Sequence, residues 1–520
     1  MLLQFWKNPE FIHRRAELRT GRATVVGLVA VLICVLTILA CWASVKARYE
    51  ENDGQSYELS FRGPDGQMQK LPQPSIADVT AHEAYGWLLL MQFAVLTFWS
   101  LLSGAQAISR ERERGTWDFQ RTTRLNSSEL LTGKLLGEPV LGYFIVLCSA
   151  PVTLVLGIAG HVSILNIASA YFLILVSALF IGLAGIWLSS LFESKSRGIG
   201  LIGALAMYGL FLAANGLNDS PFPGLAAFSP LTALLPLTGR IHFFPLPRPT
   251  IFGGHLSWLA MSLLLYATFA AWLVLMLVRN LKRDFQEIRL LSHWEAVACC
   301  GFLNFVFYAL FNPTRSPQFQ HAADFTMFMA AMNGFFLFFL GLTMLSSSER
   351  LKVGEVFRLK STLSEHGLQW PWLLMSAVVS YILLIWGLLA WEKVLVFDAH
   401  TLQRAAISFA IVLVFVIRDV LFIQWCKLTR LRAPLLKGVL MLGLYYAATG
   451  VVFEVLDVSS GRSALTAANI LTPAGGFDSS RTLPVSVLCG VAVQLMLIGF
   501  LISAVRERGQ QPVLATAAAA

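Results

Sequence analysis

Ser109 to Gln120 read SRERERGTWDFQ, and five of the first six residues are charged. The run GWLLLMQFAVLTFWSLLSGAQA, Gly86 to Ala107, leads straight into them without a single charge. At 1.5 Å per residue, about 20 helical residues cross a hydrocarbon core about 30 Å thick. The junction therefore reads as the end of a transmembrane helix, and the charged knot as a segment just outside the membrane.

The rest of the chain follows the same pattern. Of its 520 residues 56% are hydrophobic, 12% aromatic and only 13% charged, where a soluble domain carries about 25% charged residues. Mean hydropathy is +0.66. Backbone polar groups cannot go unpaired in lipid, so spans must be helices, and the expected fold is an all-α polytopic protein. About twelve spans are predicted, near 22–45, 84–107, 135–159, 163–192, 198–217, 254–278, 293–311, 324–346, 371–391, 403–426, 435–455 and 484–505. The fourth is long and the seventh short.

All seven cysteines fall inside these spans and read as small apolar packing residues, without disulfide or metal spacing. The N-terminal apolar run begins only near residue 23 and is too long for a signal-peptide core, so it reads as a retained first helix. With the N-terminus in the cytoplasm, inside segments hold 27 of the 39 Lys and Arg residues, outside segments 11, and Arg418 lies within a span. This positive-inside bias predicts that both termini are cytoplasmic. It also accounts for most of the net charge of +9, so no nucleic-acid partner is needed.

Two halves share one plan. The second span runs into ISRERERGTWDFQRT and the eighth into SSSERLKVGEVFRLKS; AAFSPLTALLP follows the fifth span and AANILTPAGGF the eleventh. Glu111 and Glu349 are 238 residues apart, Pro230 and Pro473 243. One offset serves both, which predicts two six-helix halves in parallel orientation, residues 1–285 and 286–520. A polar outside loop, 46–83, belongs to the first half only. The basic and aromatic segment 1–21 suits an amphipathic helix in the cytoplasmic headgroup region.

The stretch ISRERERGTWDFQRTTRLNSSELLTGKLLG, Ile108 to Gly137, resembles the segment between the second and third helices of ABC-2 type permeases, the membrane subunits of ATP-binding-cassette exporters. The shared features are a Glu-Arg pair, a Gly-Thr, a Ser-rich turn and a Gly-Lys in that order. The second half is similar more loosely, keeping Glu349-Arg350 and Gly354 but no Gly-Thr and no Gly-Lys. What the resemblance implies is a coupling helix that docks a separate ATPase, with Glu111, Arg112, Glu113, Arg114, Gly115, Thr116, Trp117, Gly133 and Lys134 in the first half and Glu349, Arg350 and Lys352 in the second. Such an element suits its task physically: Arg112, Glu113 and Arg114 offer ionic handles, Trp117 or Phe119 an apolar anchor, and Gly115 a turn.

No GxxxxGK[ST] motif occurs, so ATP and Mg belong to a partner ATPase subunit and no cofactor is expected in this chain. The implied partners are that subunit, the lipid bilayer and a further permease copy, and the implied location is a bacterial inner (plasma) membrane. A secondary transporter of 6+6 architecture is one alternative, although the spans hold almost no ionisable residues beyond Glu138, Arg418 and Asp419. Arg418 and Asp419 point about 100° apart on a helix and need not pair. A membrane-embedded enzyme is the other; YEEND at 49–53 is the only outer acidic cluster, and His242, His255 and His321 lack metal-ligand spacing. The Pro- and Gly-bearing segments 219–253 and 456–483 predict short re-entrant hairpins. A lipid, a drug-like molecule, a glycan and a peptide all remain open as substrate.

Overall fold

The structure, a computed structural model, describes residues 12, 20–51, 60–62, 68–70, 75–122, 125–191, 197–219, 222–238, 249–251, 254–282, 291–312, 322–344, 370–390, 400–428, 437–449 and 485–519. The chain divides into two compact units, Met1–Phe285 and Gln286–Ala520.

In the first unit, α1 (Thr20–Glu51) and α2 (Ile76–Ala107) are each 32 residues long and flank a small antiparallel hairpin, β1 (Ser60–Arg62) with β2 (Met68–Lys70). α2 starts eight residues before the predicted span at 84 because Ser75 caps it. The Ser75 hydroxyl accepts from Asp78 N and the Asp78 carboxylate accepts from Ser75 N, both at 3.1 Å. The outside loop is therefore shorter than the predicted 46–83: helix enters it from both ends, and Arg48 Nη2 of α1 donates to Glu83 of α2 at 2.7 Å.

The short helices α3 (Ser109–Glu113), α4 (Trp117–Thr122) and α5 (Ser127–Gly137) follow, then α6 (Val140–Ala159), α7 (Ile164–Leu191) and α8 (Arg197–Ala213). The predicted third span, 135–159, is broken between α5 and α6 at Glu138 and Pro139, where the missing proline N–H interrupts the ladder. Two 3₁₀ turns, Ala214–Asp219 and Pro223–Phe228, lead to α9 (Pro230–Leu237). The hairpin β3 (Thr250–Ile251) with β4 (Gly254–His255) precedes α10 (Trp258–Asn280). The hairpin predicted between 219 and 253 thus takes the form, among its described residues, of short helical pieces, held where Tyr266 OH donates to Phe228 O at 2.9 Å.

α2 is the centre of this unit, packed against α1, α6, α7 and α8. Its seam with α7 is closed by glycines: a Cβ on Gly104 would lie 2.7 Å from Gly182 O, and one on Gly185 2.7 Å from Leu101 O. Helices in lipid gain little from hydrophobic exclusion, so small residues that let backbones touch supply the packing. Buried Gln92 adds polar glue: its amide donates to Ser149 Oγ at 2.8 Å and Thr153 Oγ1 at 2.9 Å, and Tyr171 OH donates back to its carbonyl at 2.9 Å.

The second unit contains α11 (His293–Leu310), α12 (Ala322–Thr343), α13 (Trp370–Ala390), α14 (Thr401–Leu428), α15 (437–449) and α16 (Val485–Ala519). In each unit the second and fourth long helices share the most extensive contact; the first also packs on the second and third, and the fourth on the sixth. Glycine recurs at the α12–α14 seam, where Gly334 and Gly341 leave no room for a Cβ against Val412 and Val420. A neutral polar node joins three helices: Asn304 Nδ2 donates to Ser380 Oγ at 3.0 Å and Asn333 Oδ1 at 3.3 Å.

Ten helices among the described residues are long and apolar enough to cross a membrane, against the twelve predicted. The fifth predicted span is a shorter apolar helix, Leu201–Leu217, whose last turn tightens into 3₁₀ geometry. The eleventh is described only at 437–449. The N-terminal amphipathic segment, apart from Ile12 and the start of α1, and the segment 456–483 lie outside the described residues.

Candidate functional site

The charged knot leaves α2 almost without a break. Ile108 N and Ser109 N both donate to Ser189 Oγ of α7 at 3.1 Å, which fixes the start of α3 to the neighbouring helix. α3 then ends on a Schellman cap. Gly115 adopts φ +70°, Gly115 N donates to Arg112 O at 3.2 Å, and Thr116 N donates to Glu111 O at 3.0 Å. Nothing lies within 4 Å of a Cβ built on Gly115, so glycine is required there by the left-handed backbone rather than by crowding.

Behind this turn two ion pairs fasten α3 to α5. Lys134 Nζ donates to Glu111 Oε1 at 2.7 Å, with side chains 0% and 5% exposed. Arg110 Nη2 donates to Glu138 Oε2 at 3.1 Å. Residues 134 and 138 are one helical turn apart and carry opposite signs, matching the adjacent Arg110 and Glu111. α5 is itself started by Asn126, whose N–H donates to Glu129 Oε2 at 2.9 Å. Breaking a buried pair by removing one partner costs about 3–5 kcal/mol, because the other charge is left without compensation. This pair is therefore a rivet.

Trp117 completes the inner layer. Only 6% exposed, it packs with Ile108, Leu130, Leu131, Ile186 and Leu281, and its ring lies 5.5 Å from Lys134 Nζ and 5.9 Å from the Arg112 guanidinium carbon. The residues picked from the sequence thus divide in two. Glu111, Trp117, Gly133 and Lys134 are buried; Arg112 is half-buried; Glu113, Arg114, Gly115 and Thr116 are exposed. Phe119, two positions after Trp117 on α4, is 75% exposed. The result is a charged and aromatic tip on a fastened base. Arg110, Glu138 and Ser189 belong to that base and were not among the residues picked. The alternating signs at 110, 111, 134 and 138 were the available signal. Glu349, Arg350 and Lys352 lie outside the described residues.

The other buried charges among the described residues sit in the second unit. Arg418 and Asp419, whose pairing the helical wheel left open, do pair, because the arginine is long enough to turn back on its neighbour: Nε donates to Asp419 Oδ1 at 2.7 Å. Nη1 reaches Gln494 Oε1 at 2.8 Å and Tyr445 OH at 3.5 Å; Nη2 reaches Asp419 and, at 2.9 Å, Tyr446 OH. Tyr446 OH donates to Asp419 Oδ2 at 2.7 Å. All five guanidinium N–H groups are engaged, which makes the network a closed tie among α14, α15 and α16.

Residues 15–237, which include the tip, its base and α1 through α9, match the family described as ABC-2 family transporter protein. This region is similar to the membrane domain of ABC-2 type permeases. The match lies within the first unit and ends before α10. No curated protein and no solved structure matches the chain. With ten long apolar helices among its described residues, the chain is an integral membrane protein. Members of that family work in general with an ABC ATPase subunit.

Proposed function

We propose that the chain is an ABC-2 type permease, the membrane subunit of an ABC transporter, that docks a separate ATPase on the tip at residues 109–122 and uses the hydrolysis of ATP, held with Mg in that subunit, to export its substrate. The observation that carries this reading is the layered build of the segment. An exposed Glu113, Arg114 and Phe119 stand on a turn whose base is riveted to α5 and α7. An interface anchor works best when an aromatic and a few charged groups sit on a rigid support. Force applied at the tip passes through Glu111–Lys134 and Arg110–Glu138 into α5 and, across Pro139, into α6, and through Ser189 into α7.

In this reading the tip faces the cytoplasm, both termini do too, and the membrane is a bacterial inner membrane. The second unit is read as a divergent repeat of the first, residues 286–520. This is supported by the matching order of helix contacts and by Gly104 and Gly341, which stand at the same seam of their units. Its own docking segment, Glu349 to Lys352, is read as the weaker of the two because it lacks the Gly-Thr and Gly-Lys. The test is ATP hydrolysis by the purified complex in lipid vesicles. Arg112→Ala with Arg114→Ala should abolish stimulated hydrolysis, while Arg350→Ala with Lys352→Ala should leave much of it. Equal losses would overturn the assignment of the first unit as the main coupling element.

A further inference from the structure

A groove of about 710 Å³ opens between the C-terminal half of α1, the first turns of α2 and the last turn of α6. Its size falls within the roughly 300–1,000 Å³ of small-molecule sites. Its composition changes steadily along its length. Along α1 the lining runs from aliphatic Ile38 and Leu39 through Trp42 to Lys46, Tyr49 and Glu50. On α1 the lining positions recur at helical spacing, so one face of that helix runs from aliphatic through aromatic to charged. Ala77 and Ala81 provide the space, having only a methyl where a larger side chain would fill it. The Arg48–Glu83 bridge ties α1 to α2 near the charged end.

The charged end is specific in sign. Lys46 Nζ and Glu50 Oε1 are 3.8 Å apart, beyond direct hydrogen-bond distance, with side chains 51% and 69% exposed. The Lys46 ammonium also lies 5.3 Å from the Trp42 ring centroid. A cation and an anion side by side match a head group that carries both charges. Its phosphate meets Lys46 and the Tyr49 hydroxyl, and its ammonium meets Glu50. A purely anionic head would satisfy Lys46 but bring its charge against Glu50. Trp and Tyr are also the residues that settle at the membrane–water boundary, where a head group sits.

We infer that this groove is a binding site for one zwitterionic phospholipid, with an acyl chain along Ile38 and Leu39 and its head group at Lys46, Tyr49 and Glu50. The site belongs to the first unit and stands independently of ATPase docking.

The full chain, purified in mild detergent, would be given equal amounts of phosphatidylethanolamine and phosphatidylglycerol and weighed intact by native mass spectrometry. One phosphatidylethanolamine should be retained, preferred about two- to fivefold, the scale of exposed charge pairing. Ala77→Trp, at an exposed position in the groove, should remove the bound lipid, whereas Val31→Trp, on α1 outside the groove, should keep it. Glu50→Gln should keep the lipid but level the two head groups. Equal retention of both lipids by the wild type, no retention at all, or undiminished retention by Ala77→Trp would each overturn the inference.

Discussion

Lys134 Nζ lies 2.7 Å from Glu111 Oε1 across 23 positions of chain, with neither side chain open to water. With Arg110–Glu138 that contact joins α3 to α5, and as the more deeply buried of the two it governs whether the tip moves with the helices behind it. Lys134→Met strands the Glu111 carboxylate and should destabilise the protein by about 3–5 kcal/mol. Lys134→Met combined with Glu111→Leu removes both charges and should recover most of the loss. Thermal unfolding of the three purified proteins checks this; a double variant no better than the single one would show that the pair is not the rivet.

Gly115 at φ +70° ends α3. An alanine there bears the left-handed penalty of about 1–2 kcal/mol, and asparagine bears less. Gly115→Ala should therefore loosen the tip alone: amide hydrogen exchange should rise at residues 109–122 and stay unchanged in α7. Gly115→Asn should show a smaller rise.

Gly104 and Gly182 set the spacing of α2 and α7. Gly104→Val places side-chain carbon into the Gly182 carbonyl and should lower the melting temperature sharply or prevent folding. Gly209 in α8 has nothing within 4 Å of a Cβ, and Gly209→Ala should be neutral or mildly stabilising, since glycine costs about 1 kcal/mol in a helix interior. Similar effects from the two would contradict the seam.

The boundary between what the sequence told and what it withheld runs through these same residues. Long apolar runs are legible one by one, because each span must satisfy its own backbone, and the Gly115 turn follows from residue type alone. Ser75-x-x-Asp78 was legible as a cap, yet the predicted span masks it by starting eight residues later. Pro139 breaks a span that hydropathy alone reads as continuous. Trp117 and Phe119 are both aromatic and two residues apart, so on a helix they face nearly opposite ways; only the position of α5 decides that Trp117 is inside and Phe119 outside. The partners of Glu111 and Arg110 depend on how α3 meets α5, which no local pattern specifies. Arg418 shows where the wheel stops: an angle of about 100° between neighbours left their pairing open, and the reach of the side chain closed it.

The Arg418 network makes its own prediction. Arg418→Met leaves Asp419 buried without its main partner and should be strongly destabilising, by about 3–5 kcal/mol, whereas Arg418→Met with Asp419→Leu should be tolerated far better. Transport should then survive in the double variant in proportion to its folded yield. Full stability with lost transport in that variant would mean that the pair takes part in translocation and is more than a tie.

The central claim is that the exposed tip meets an ATPase, and Phe119 is where to ask. A photoreactive phenylalanine analogue placed at position 119 and irradiated in intact cells should form one covalent adduct with a nucleotide-binding subunit. The same analogue at Trp117, if the chain still folds, should crosslink only within the permease. Labelling of the ATPase from 119, lost when Glu113 and Arg114 are both changed to alanine, is the predicted result; a folded, membrane-inserted chain whose position 119 captures no ATPase would contradict the account.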